Sequence, residues 1–375
     1  MPKVAAGSSA DTLLRIAVVG AGSIGREFAL RHFGPPTRTA VASVVDLDAA
    51  AAEHLAIDVG SVAAGAKVTG GGYREVASVR RGTPVPHATS LTDAILASCD
   101  AVYIGTTPGS HRALVLRALE CDKHVLLEKP LAATPADADA IVAAAVAAEA
   151  RNVHTSMNIG MRYNKALIEM RRLAVTDATL GPLTSAKLGL HFAQWPREWQ
   201  QVAWCASRDE GGPLREVGTH FLFAIHECFG HGCVRRVRAT VRYAAEDANG
   251  AETGVDGTIE LDSGLQVALS VTTDGSVSGS TDDIYELTVT GSEGTLALDS
   301  FTALRSLGWR KKTLVRAGAY GRAECVHAFV EAATSTEEQE RSWRPVHVAE
   351  GRNAQRVLDA LFSSKGEWVE VENGD

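Results

Sequence analysis

Short apolar runs cut by glycine and proline fill the first half of the chain, and apolar–polar alternation fills much of the second. Arg15-Ile16-Ala17-Val18-Val19 is one such run, as expected of a parallel strand buried on both faces. It leads into Gly20-Ala21-Gly22-Ser23-Ile24-Gly25 and then a helical pattern through Phe33, which Gly34-Pro35-Pro36 stops. A second strand is predicted over Thr39 to Val45, ending at Asp46. Ala101 to Ile104 reads as another strand, followed by a Thr106-Thr107-Pro108-Gly109 turn, a helix over His111 to Glu120, and a strand over His124 to Leu127. Thr134-Pro135 supplies a capping hydroxyl and a first-turn proline, and the Ala-rich stretch to Glu149 is a strong helix former. Strands separated by helices imply right-handed crossovers and a doubly wound parallel sheet.

The texture changes after about residue 152. Alternation appears at Ser185 to Phe192, Val234 to Tyr243, Thr258 to Thr273 and Tyr285 to Leu298, with Gly, Asp and Ser in the turns. The expected fold class is therefore α/β: residues 1–152 form a doubly wound parallel sheet, and residues 153–375 form an α+β domain with an open, mainly antiparallel sheet. No internal repeat is evident. Residues 60–87, with Gly70-Gly71-Gly72 and Arg80-Arg81, read as a loop-rich insertion.

Composition narrows the function classes. The chain has 375 residues, room for two or three domains. Hydrophobic residues are 45% and charged residues 22%, which excludes wholesale disorder. The net charge of −8 argues against a dedicated nucleic-acid or anionic-membrane binder. The apolar stretch Ile141 to Ala148 is far too short to span a bilayer, and the amino terminus is not a signal peptide. A cytoplasmic protein with reduced thiols is the expectation. His226, Cys228, His231 and Cys233 are crowded together but lack paired-ligand spacing, so no metal is expected.

Gly20-x-Gly22-x-x-Gly25 follows a buried strand and opens a helix, and Asp46 lies 21 residues beyond Gly25. Glycine permits the tight turn and the close approach of backbone to a pyrophosphate, while the helix start supplies amide donors. Asp46 would accept hydrogen bonds from the adenosine ribose and repel a 2′-phosphate. Together with Ser23 and Ile24 in the turn, this is a Rossmann dinucleotide site, with NAD preferred and NADP possible.

Leu127-Glu128-Lys129-Pro130-Leu131-Ala132 resembles the Glu-Lys-Pro signature of the Gfo/Idh/MocA oxidoreductases. Thr106-Thr107-Pro108 then His111, Arg162-Tyr163-Asn164, Gly181-Pro182-Leu183, Gly291-Ser292-Glu293-Gly294-Thr295 and Gly211-Gly212-Pro213-Leu214-Arg215-Glu216-Val217-Gly218-Thr219-His220 match further family segments. The resemblance runs from Ile16 to about Phe362. It implies a nicotinamide-dependent dehydrogenase or reductase, usually of sugars, polyols or related secondary alcohols. It assigns Thr106, Thr107, Pro108, His111, Glu128 and Lys129 to the cofactor, and Arg162 and His220 to a small-molecule substrate. The family's catalytic histidine falls on His220 and its partner carboxylate, usually Asp, on Glu216. An Asp three residues after the histidine is replaced by Phe223, which argues against a very hydrophilic substrate. A homodimer or homotetramer through the second-domain sheet is also implied.

The residue chemistry agrees. Glu216 and His220 stand at i, i+4, on one face if a helix begins near Pro213, so the carboxylate could orient the imidazole. His220 can take a hydroxyl proton and Lys129 can stabilise the alkoxide. Trp195, Trp199 and Trp204 surround Pro196, Arg197 and Gln200. Trp195 and Trp199 could stack on a substrate ring and Arg197 could bind an anion, or the aromatics could anchor a loop. Two alternatives stay open: a dihydrodiol-type dehydrogenase or reductase of a partly apolar substrate, and a non-catalytic NAD(P)-sensing regulator. Retention of Lys129 and His220 favours the enzyme.

Overall fold

The structure is a computed structural model, describing residues 13–68, 82–277, 282–307, 312–316, 321–335 and 343–372. The chain groups into two compact units, each assembled from three segments rather than divided by a single cut after residue 152. The first contains Met1–Glu128, Ala140–Asn158 and Arg322–Val348; the second contains Lys129–Asp139, Ile159–Gly321 and Ala349–Asp375.

In the first unit, six strands form a fully parallel sheet: β1 (Leu14–Val19), β2 (Thr39–Val45), β3 (His87–Ala88), β4 (Ala101–Ile104), β5 (His124–Leu127) and β6 (Thr155–Met157). The order β3-β2-β1-β4-β5-β6 reverses between β1 and β4. That reversal is the switch point of a doubly wound sheet, where loops leaving the carboxyl ends of adjacent strands diverge and open a crevice. Every position of β1 except Arg15 is buried, as is all of β4, in keeping with their continuous apolar runs. The segment after Arg322 docks beside β6: the Met157 N–H donates to Val346 O at 2.8 Å, and Ser156 pairs with His347. The helix expected through Phe33 is α-helical only over Ser23–Glu27 and continues as a π turn over Phe28–His32.

The expected insertion is framed by the helix Ala49–Ala63 and by β3. Gly60 and Gly82 bring its two ends together so closely that a Cβ on Gly60 would stand 2.0 Å from Thr83 O. Gly70-Gly71-Gly72 and Arg80-Arg81 lie outside the described residues.

The second unit contains β7 (Leu183–His191), β8 (Val234–Tyr243), β9 (Glu252–Leu261), β10 (Gln266–Thr272), β11 (Ile284–Gly291), β12 (Gly294–Asp299), β13 (Ala303–Leu307), β14 (Lys312–Arg316) and β15 (Val369–Glu370). Among the described residues they form one sheet in the order β14-β13-β12-β11-β7-β10-β9-β8-β15. All pairs are antiparallel except β7 with β10. Buried and open positions alternate along β7, β10 and β11, so one face is core and the other is open. The expected strand over Thr258 to Thr273 is two, separated by a turn in which Gly264 adopts φ +82°. The helix Thr219–Phe229 belongs to this unit; it buries Phe221, Leu222, Phe223 and Ile225 and ends at Gly230, φ +113°.

Candidate active site

The glycine turn leaves β1 at the switch point of the first unit. Gly20 has φ +101°, and a Cβ there would lie 2.6 Å from Gly105 O. One on Gly25 would lie 1.8 Å from Gly20 O, so both positions require glycine. Gly22 differs: its backbone is exposed and a Cβ would meet nothing within 4 Å. The turn thus presents an open backbone surface of the kind a pyrophosphate needs. Ser23 is exposed and Ile24 is half-buried beside it.

At the end of β2, Asp46 accepts the Ala21 N–H at 2.6 Å and the Asp48 N–H at 2.9 Å. The carboxylate is thereby tied to the turn. Leu47 beside it is 92% exposed, and Asp48 caps the following helix. Neither supplies a cation for a 2′-phosphate. These residues fit a dinucleotide with an unphosphorylated ribose.

After β4, Thr106, Thr107 and Pro108 form the second loop at the switch point, with Pro108 opening the helix Pro108–Glu120. The Thr106 and Ser110 hydroxyls are hydrogen-bonded at 2.7 Å. His111, expected to contact the cofactor, is instead fully buried, with Nε2 3.2 Å from Thr106 O. It braces the loop from within. Glu128 is likewise buried: its Oε1 accepts from Tyr103 Oη at 2.8 Å and Asn158 Nδ2 at 2.5 Å.

In the second unit, Lys129 meets the segment beginning at Gly211. Its Nζ donates to Glu216 Oε2 at 2.7 Å and to Glu216 O at 2.8 Å. Both side chains are nearly enclosed, with exposures of 12% and 11%. The other carboxylate oxygen of Glu216 accepts from Gln200 Nε2 at 2.9 Å, and Arg197 lies 3.6 Å away. Burial pushes the Glu216 carboxyl up, but the charges of Lys129 and Arg197, with hydrogen bonds from Lys129 and Gln200, outweigh it and hold the group below the usual carboxylate range.

The expected Glu216–His220 face does not form as an α-helix. Leu214–Gly218 is a π turn, and α-helix begins only at Thr219. The wider turn breaks the i, i+4 alignment, and Glu216 directs its carboxylate to Lys129 and Gln200. His220 is buried, its ring edge-on to Phe301 at 5.6 Å between centroids. Asn164 fixes that neighbour: its Nδ2 donates to Phe301 O at 2.9 Å while its Oδ1 caps the helix Lys165–Arg171.

The tryptophan segment wraps this network. The Arg197 guanidinium stacks over Trp195 at 5.4 Å and Trp199 at 4.5 Å, donates to Gln200 Oε1, and reaches Tyr285 Oη at 3.5 Å. Trp195 Nε1 donates to Cys205 O at 2.9 Å and its ring meets Phe192 edge-on, so Trp195 anchors the loop. Trp199 is 38% exposed. Burial, followed by the Glu216 charge, pushes the Cys205 thiol up to about 12. Gln200, noted in the sequence only as part of the tryptophan segment, and Tyr285 carry much of this geometry. Tyr285 comes from β11, and no local motif marks it.

Arg162, expected to bind substrate, spends its guanidinium elsewhere. It donates to Glu227 Oε1 at 2.8 Å and 2.5 Å and to Glu350 at 2.8 Å and 2.9 Å, lying over Phe223 at 5.7 Å. Phe223 is fully buried there, beside His231 as well, so it does not line a site with the tryptophans. Of the crowded His226–Cys233 stretch, His226 and Cys228 are buried. Among the described residues, no group of three or more His, Cys, Asp or Glu could hold a metal ion, and no helix is long and apolar enough to cross a membrane.

Comparison with known proteins adds two family matches. The family described as "Oxidoreductase family, NAD-binding Rossmann fold" matches residues 14–156, and the "GFO/IDH/MocA C-terminal domain" matches residues 169–297. A 1,5-anhydro-D-fructose reductase from Ensifer adhaerens is 32% identical over 168 residues, 44% of this chain and 48% of the relative. An inositol 2-dehydrogenase/D-chiro-inositol 3-dehydrogenase from Lacticaseibacillus casei is 33% identical over 130 residues, 35% of this chain and 32% of the relative. The matched stretches thus span less than half the length of these curated relatives. The WlbA dehydrogenase from Bordetella pertussis, solved with NADH and UDP-GlcNAcA, superposes with a TM-score of 0.72 over 96% of this chain and 99% of that one, at 17% identity. That likeness concerns the fold.

Proposed function

The chain belongs to the Gfo/Idh/MocA family of NAD-binding oxidoreductases, and on that premise we propose that it transfers a hydride between nicotinamide and a secondary alcohol or ketone of a sugar, polyol or related cyclic substrate. In this reading the first unit holds the dinucleotide and the second holds the substrate. The carrying observation is the enclosed Lys129–Glu216 pair, which joins the Glu-Lys-Pro motif to the segment bearing His220 across 87 residues of sequence. An ion pair this enclosed is a poor source of stability, because desolvation offsets its attraction. A positioned lysine with a tuned carboxylate suits chemistry better.

NAD would be held by Gly20, Gly22, Ser23, Ile24, Gly25, Asp46 and the Thr106-Thr107-Pro108 loop, and it supplies the hydride acceptor. Lys129 donates to the substrate oxygen and stabilises the negative charge that grows there. Glu216 and Gln200 keep the Lys129 ammonium aimed, and Arg197 limits how far Glu216 can neutralise it. His220 takes the hydroxyl proton during oxidation and returns it during reduction. Trp199 offers its exposed surface to a ring. The relatives named for anhydrofructose and inositol support a cyclic polyhydroxylated substrate.

The test is a screen following nicotinamide absorbance, with NAD and NADP each paired with sugars, inositols and aromatic dihydrodiols. Turnover of a cyclic polyol with NAD is expected. Turnover confined to dihydrodiols would move the substrate class, and NADH binding without any turnover would favour a sensing role.

A further inference from the structure

Behind the π turn lies a carboxyl that the reaction does not use. Glu252 begins β9 and is 1% exposed. Its Oε1 accepts the Leu214 N–H at 2.8 Å, the first amide of the turn carrying Glu216. Its Oε2 has no hydrogen-bond partner among the described residues. Gly212, at φ +101°, packs against this carboxyl so closely that a Cβ would stand 2.2 Å from Oε2. The charged and titratable groups facing it are Arg215 from the turn and Tyr243, its cross-strand partner on β8. Arg215 is committed to backbone: its Nη1 donates to Arg208 O at 2.7 Å and to Gly211 O at 3.2 Å.

We infer that Glu252 is a positioning residue, whose buried carboxyl seats the Gly212–Leu214 backbone and through it fixes both Glu216 contacts to Lys129. The inference rests on the dehydrogenase reading for its catalytic meaning. A neutral carboxyl fits the enclosed, half-partnered site better than an ionised one, whose buried Oε2 would lack a hydrogen-bond donor. Burial pushes the Glu252 carboxyl up to about 7, against the opposing Leu214 amide. Above that pH the ionised group pulls Arg215 from its backbone partners or draws in water, and either change moves the turn that carries Glu216 O and Oε2.

The experiment compares the native protein with Glu252→Gln, which keeps the acceptor and cannot ionise, and with Glu252→Ala, which removes it. Native kcat should fall as pH rises through about 7, and Glu252→Gln should lack that descending limb. Glu252→Ala should lose roughly tenfold in kcat, recovered in Glu252→Gln, the scale of one well-placed hydrogen bond. Thermal melting reads the same group without turnover. Folded Glu252 keeps its proton to higher pH than the unfolded chain does. Native stability therefore falls as pH climbs from the ordinary 4.5 to about 7 and then levels, relative to Glu252→Gln. A melting difference independent of pH overturns the inference even if no substrate is found. Superimposable pH–rate profiles overturn it while leaving the dehydrogenase reading intact.

Discussion

Arg162 illustrates how a residue type can be read correctly and its task misread. Arginine entering a second domain beside a family motif invites an anion, and the anions turn out to be the chain's own Glu227 and Glu350. All three side chains are nearly enclosed, with exposures of 10%, 13% and 14%. Removing the cation would strand two carboxylates, a loss of about 3–5 kcal/mol for a buried pair. We expect the second unit of Arg162→Ala to melt roughly 10 °C below that of the native protein, given about 2–4 °C per kcal/mol for a unit of its size. The KM of its substrate should stay unchanged. A raised KM with an unaltered melting temperature would return Arg162 to the substrate. Glu216 shows the converse: the carboxylate was legible as a site residue, but its partner is Lys129 rather than His220, which only tertiary structure decides.

At the scale of elements two turns stand out, one in each unit. The glycine turn separates backbone necessity from ligand access. Gly25→Ala would force a Cβ to 1.8 Å from Gly20 O and should cost folding stability. Gly22→Ala, at φ −67° with nothing within 4 Å, should melt like the native protein. Its Cβ would nevertheless occupy the dinucleotide's approach, so NADH affinity should fall at least about tenfold. Equal NADH affinity in Gly22→Ala would contradict the assigned site. The π turn at Leu214–Gly218 was not legible, because α and π turns use the same helix-forming residues. Here tertiary contacts accompany the wider turn: Glu252 takes the first amide, and Lys129 takes the Glu216 carbonyl. Strands were more legible. β2, β4, β5 and β8 coincide with their expected spans because apolar runs or alternation end at turn residues. β6, with the short Thr155-Ser156-Met157 run, carries no such signal and forms by pairing with β5.

The whole molecule adds what no local pattern carries. The segment from Arg322 to Val348 returns to the first unit, where Cys325 Sγ donates to Met157 O at 3.4 Å and Val346 pairs beside β6. Such a return depends on contacts distant in sequence, as does the parallel β7–β10 pair within an otherwise antiparallel sheet. The same long reach assembles the candidate site from Lys129, the Arg197–Gln200 loop, Glu216 and Tyr285. The central claim is that this assembly handles the substrate oxygen while the glycine turn holds the dinucleotide. Its most direct test is Lys129→Ala beside the native protein, measuring NADH affinity by fluorescence and kcat with a substrate from the screen. Removal of one electrostatic stabiliser should cut kcat by about 100-fold or more, with NADH affinity nearly unchanged. Native kcat in Lys129→Ala would contradict the account.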